Sequence, residues 1–238
     1  MKRVPLLLCL IFLFNCKKSE EVVTEETTLT KAEESLLSQY EHMVFKFDTE
    51  WQSSEFTEKW SGEVKLFFDG NISEQYTSDS QMVLATMNSF FTDGTEFTLV
   101  DNEEDADVHL FLGSREEMGV KWPDMFEAIA SDTSYSGYYL YEWNSSFQIF
   151  AGRIWVSNAS IPLLRHELGH ILGLGHADAT GCGTGDRSIM CRGLANDFSN
   201  ADETIIRLLY HPSVTPGKTY EELRTIIEEL LATNAVGF

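Results

Sequence analysis

His166-Glu167-Leu168-Gly169-His170-Ile171-Leu172-Gly173-Leu174-Gly175-His176 is an unbroken His-Glu-x-x-His-x-x-Gly-x-x-His string, and nothing else in the chain constrains its fold so tightly. On an α-helix, His166 and His170 lie on one face, about 6 Å apart along the axis. Two imidazoles at that spacing can take adjacent corners of a zinc tetrahedron, with Glu167 beside the open position. The next helical turn cannot deliver a third ligand with the right geometry. Gly173 offers a way out: by taking a positive φ it ends the helix and turns the chain, so that His176 approaches from below. Three neutral nitrogen donors leave a fourth position for water, the arrangement of a catalytic rather than a structural zinc. A bare His-Glu-x-x-His arises by chance in about one chain of this length in a hundred, and the added Gly and His lower that to about one in a hundred thousand. Three idle surface histidines are therefore a poor account of the string.

The string resembles the zinc signature of the metzincin metalloproteases, and its surroundings resemble the matrixin branch. Ser188-Ile189-Met190, with 13 residues between His176 and Met190, resembles the family's methionine turn. Ala106-Asp107-Val108-His109-Leu110-Phe111 is similar to a matrixin strand, Gly152-Arg153-Ile154-Trp155-Val156 to the strand before the active-site helix, and Phe198 through Tyr210 to the last helix. Coverage runs from about Glu63 to about Pro212. Two positions depart from the pattern. Ala177 stands where subfamilies carry a diagnostic Ser, Asp or Glu, and Arg192 stands where some metzincins add a tyrosine to the zinc.

The resemblance implies an α+β fold, a twisted mixed sheet with an active-site helix and a C-terminal helix. It implies a zinc-dependent endopeptidase with one catalytic Zn2+ held by His166, His170 and His176, Glu167 as general base, and Met190 beneath the metal without binding it. An extended peptide substrate would lie along an edge strand, placed here within Gly137–Tyr141, with residues 192–198 walling its specificity pocket. Two other classes stay open: a surface adhesin or immune-evasion lipoprotein with a structural zinc, and a zinc hydrolase of peptidoglycan cross-links.

Residues 1–16 read as a signal peptide, with Lys2 and Arg3 ahead of an apolar run from Val4 to Phe14. The run is too short to span a membrane, which takes about 20 apolar residues. It ends in Leu13-Phe14-Asn15-Cys16, which resembles a bacterial lipobox, so lipidation of Cys16 and an extracytoplasmic, lipid-anchored location are expected. The net charge of −21 becomes −23 once Lys2 and Arg3 leave with the leader, which argues against nucleic acid and anionic membrane surfaces as partners. A monomer is expected. Calcium has no loop of defined ligand spacing, and Asp101-Asn102-Glu103-Glu104-Asp105 reads as a solvated acidic turn. Cys182 and Cys191 bracket the Gly-rich loop before Met190. A disulfide is expected there; two free thiols, or a thiolate competing for zinc, are the alternatives.

Residues 17–60 read as an acidic tether with a candidate short pro-segment, its aromatics padding the domain's edge; Asp48 is a candidate carboxylate to cap the zinc. Residues 61–213 read as the metalloprotease domain and 214–238 as a C-terminal amphipathic helix. Within these, Val64–Phe68, Phe97–Val100 and Val108–Leu112 are expected strands, and Ser80–Phe91 a helix. Gly137–Glu142 and Phe147–Val156 form an expected hairpin. Ser160, Ser199 and Thr219 are expected helix caps.

Overall fold

A computed structural model describes residues 28–47, 53–183 and 185–237. The expected leader, Cys16, Asp48 and the expected tether as far as residue 27 lie outside the described residues. A five-stranded sheet organises the chain. β1 (Glu63–Gly70), β2 (Glu96–Leu99), β3 (Val108–Leu112) and β5 (Ile149–Val156) run parallel, and β4 (Gly137–Trp143) runs antiparallel at one edge, in the order β2-β1-β3-β5-β4. The fold is mixed α+β, with a mostly parallel sheet. Alternation sets the faces: Val64 and Leu66, and Val108, Leu110 and Leu112, point into the main core.

On that face lie α2 (Glu74–Asn88), α5 (Ile161–Ile171) and α6 (Asn200–Leu209). α2 starts six residues before the expected Ser80, because Ser73 caps it by accepting from the Tyr76 amide. Its first turns are polar, so apolar periodicity did not mark them. The opposite face is covered by α3 (Arg115–Lys121) and α4 (Pro123–Ala128), which were not anticipated. Met118, Trp122, Met125 and Ile129 pack there on Trp155 as a second, smaller core.

The tether expectation needs correction from Thr30 onward. α1 (Lys31–Val44) is closed by a capping box between Thr30 and Glu33 and buries Leu36, Leu37, Tyr40, Met43 and Val44 in the main core. These positions recur at helical spacing, so burial of one face outweighs the acidic composition of the other. α7 (Tyr220–Ala232) packs against α1 through Leu223, Ile227 and Leu231, with the rings of Phe45 and Tyr220 5.9 Å apart. The first and last helices thus belong to the same body as the sheet. No helix among the described residues is long and apolar enough to cross a membrane.

Candidate metal centre

α5 begins at Ser160, whose side chain accepts from the Leu163 amide, with Pro162 in the first turn where its missing N–H is harmless. It ends in a Schellman turn. Gly173, at φ +96°, donates to the His170 carbonyl at 2.9 Å, and Leu174 donates to the Gly169 carbonyl at 3.2 Å. Two carbonyls left over at the helix end find donors elsewhere: the Trp60 indole reaches Ile171 at 2.8 Å, and the Tyr210 hydroxyl reaches Leu172 at 3.0 Å. Gly175 donates to the Met43 carbonyl of α1 at 2.7 Å. A Cβ on Gly173 would stand 2.3 Å from the Glu58 carbonyl oxygen, so only glycine fits between the turn and the N-terminal segment.

This turn brings the three histidines together, with one ring nitrogen of each within 4.8 Å of the others. His166 Nε2 and His170 Nε2 are 3.2 Å apart. His166 Nδ1 lies 2.7 Å from the Ile189 carbonyl and His170 Nδ1 lies 2.8 Å from the Leu174 carbonyl. A carbonyl only accepts, so both Nδ1 atoms carry the proton and both Nε2 lone pairs face the shared point. Burial pushes His166 down to about 4 and His170 well below its ordinary value. Both rings are therefore neutral at neutral pH, the form a metal requires. Tyr139 of β4 stacks on His170, centroids 4.2 Å apart and planes within 14°.

Glu167 projects beside the histidines and is 4% exposed. Burial raises its carboxyl from 4.5 to about 8. Gly137, at the start of β4, makes room for it, since a Cβ there would come within 2.3 Å of Glu167 Oε1. The sequence put Gly137 and Tyr139 in the expected substrate-binding strand but did not mark their contacts with Glu167 and His170.

Met190 is fully buried beneath α5, and a Cβ on Gly169 would meet its Sδ at 2.2 Å. The small residue inside the histidine string is thus the space that Met190 fills. Its loop is held from several sides. Asp202 accepts from the Ser188 hydroxyl and, at 2.9 Å, from the Ile189 amide, while capping α6 through Ser199. Burial raises the Asp202 carboxyl, and these hydrogen bonds oppose the shift. Sequence reading found Asp202 only as half of a capping box; its second role, fixing the carbonyl that orients His166, depends on a contact that spacing does not reveal. Cys182 and Cys191 form a disulfide with Cα atoms 5.6 Å apart, closing the same loop.

A buried ion pair stands beside the centre. Lys46 donates to Glu58 at 2.7 Å with both side chains at most 5% exposed, and the Tyr141 hydroxyl donates to the same carboxylate. Burial lowers the Lys46 ammonium and Glu58 opposes that. His166, His170 and His176 come together, with Glu167 on α5, Met190 beneath that helix, and the Cys182–Cys191 disulfide in the loop that carries Met190. Among the described residues, these three histidines form the group of His, Cys, Asp or Glu side chains able to hold a metal ion. No protein-family model matches the chain, and no curated protein matches it.

Proposed function

We propose that the chain is a zinc-dependent endopeptidase, with His166, His170 and His176 as ligands and Glu167 as general base. One observation carries the reading: a cage of three imidazoles, two in the metal-binding tautomer, with a buried carboxylate alongside. A donor set of three imidazoles fits zinc, and three protein ligands leave a position open for chemistry. When bound, zinc supplies Lewis acidity, polarising a peptide carbonyl and making a water easier to deprotonate.

Glu167 accepts a proton from the attacking water and passes it to the departing amine. Burial makes its carboxylate a stronger base than an ordinary glutamate, and Gly137 leaves its oxygens uncrowded. Tyr139 and the Leu174 carbonyl keep His170 from rotating. Among the described residues the outer edge of β4 has no neighbouring strand, and an extended peptide can add there through backbone hydrogen bonds. A binding protein with a structural metal has no use for a desolvated carboxylate at the cage, and burying one is costly.

The reading is tested by metal analysis and peptide-library mass spectrometry on the purified chain. One zinc per chain and chelator-sensitive cleavage are expected, with His170→Ala losing both. Undiminished zinc in His170→Ala overturns the ligand assignment, and no cleavage of any peptide by zinc-loaded wild type overturns the enzyme.

A further inference from the structure

Next to the metal centre, toward the C-terminal end of β4, lies a cavity of about 460 Å³ whose lining includes Phe56, Glu58, Tyr139, Tyr141, Trp143 and Phe147. Tyr139 belongs to both places, since its ring also stacks on His170. The alternation of β4 explains the layout: Gly137 meets Glu167, Tyr139 meets His170, Tyr141 meets Glu58, and Trp143 follows with 48% of its surface exposed. The far wall is the Phe56–Phe147 ring pair, centroids 4.4 Å apart. Phe56 comes from the segment before β1, and the Ile149 amide donates to the Lys59 carbonyl at 2.9 Å, tying that segment to the hairpin.

The cavity's walls are mainly aromatic, and its polar lining is Ser53, Ser54, Glu55 and Glu58. Lys46 and Tyr141 already engage the buried Glu58 carboxylate. Glu55 adds an exposed carboxylate at the rim, in a chain of net charge −21. An acidic occupant is disfavoured, and aromatic walls favour a flat or bulky apolar one. Trp143 lies four positions after Tyr139, about 13 Å along an extended strand. A peptide running beside β4 with its reacting bond at the histidines therefore carries a side chain into the cavity about two to four residues away.

Resting on the endopeptidase reading, the geometry points to this cavity as a substrate subsite for one bulky apolar side chain, aromatic above all. The substrate class is a polypeptide with such a residue at a fixed distance from the cleaved bond, on one side of it, and without acidic neighbours. The N-terminal segment supplies Phe56 and so takes part in specificity.

Two measurements on the zinc-loaded chain test this. In the first, peptides that differ only by Phe or Ala at each position around a cleaved bond are compared by kcat/KM. One position, about two to four residues from the bond, should favour Phe by about tenfold, and Trp143→Ala should abolish most of that ratio. The half-exposed Trp143 can be truncated without opening the core. In the second, N-acetyl-phenylalaninamide is titrated while the Trp143 indole is followed by NMR. A saturable shift that Phe56→Ala and Phe147→Ala weaken is expected, with no matching shift from N-acetyl-glutamic acid amide. Cleavage with no preferred position, or a preference that Trp143→Ala leaves intact, overturns the subsite while the enzyme reading stands. A saturable shift without any cleavage keeps the cavity as an aromatic site and overturns the enzyme reading; no shift and no cleavage overturns both.

Discussion

α5, 11 residues long, and α1, 14 residues long, meet at the candidate metal centre but are encoded in different ways. α5 announces its role locally: histidines four apart, a glutamate between them, a glycine to end the helix, each effective through neighbours in sequence. α1 contributes nothing that spacing can identify as functional. Its Met43 carbonyl holds Gly175, and the segment after it presents Trp60 to Ile171 and the Glu58 carbonyl to Gly173. These contacts cross more than 100 residues of sequence; that from Trp60 spans 111. The three histidines are written in one short string, but the turn that aims His176 is braced from the other end of the chain.

If the N-terminal segment is a brace, disturbing it should matter more than its acidic composition suggests. Lys46→Met leaves Glu58 buried without its cation and should destabilise the chain by about 3–5 kcal/mol, read as a shift in denaturation midpoint. Pairing it with Glu58→Met should recover much of that loss, because neither charge then remains buried alone. Equal losses in the single and double variants would show that packing, not the ion pair, fixes the segment.

Glu167 gives the opposite contrast, a residue of α5 placed against stability. Its carboxyl titrates near 4.5 when unfolded and near 8 when folded and metal-free. Between those values the folded chain keeps a proton that the unfolded chain has lost. Stability from this group is therefore full below 4.5 and falls as pH rises through 8. Metal-free Glu167→Gln should be more stable than metal-free wild type by about 2–4 kcal/mol at pH 8 and by little at pH 4.5. A gap that does not widen with pH would refute the desolvated carboxylate. The smallest effect expected is at the methionine loop. Replacing Cys182 and Cys191 by Ser should cost about 2–3 kcal/mol, the loop-closure value for a ring of this length, and unchanged unfolding in the two forms would remove the disulfide from the account.

The same contrast separates what was legible in the sequence from what was not. The parallel strands, the β4–β5 hairpin and the caps at Ser160, Ser199 and Thr219 follow from alternation and capping chemistry, and the structure places them there. Packing of the segment from Leu36 was expected, but α1 itself was not: Glu33, Glu34 and Glu41 masked the helical spacing of Leu36, Tyr40 and Met43 and left Thr30–Glu34 in the expected tether. α3 and α4 were missed because each is under two and a half turns, too short for periodicity, although Ser114 with Glu117 forms a capping box ahead of Pro123. At the candidate site, the three histidines, Glu167, Met190 and the cysteines were legible because each belongs to a pattern. Gly137, Tyr139 and the second role of Asp202 were not, since their work lies in contacts between elements distant along the chain.

The claim at the centre is that a positioned carboxylate, and not the metal cage alone, is what the fold is built to present. Its direct test is zinc content and peptide cleavage measured on the same preparation of Glu167→Gln, which keeps the side chain's size and removes its basicity. The account predicts a full zinc complement with cleavage reduced by about 10²–10⁴-fold. A variant that holds its zinc and cleaves at the wild-type rate would contradict it.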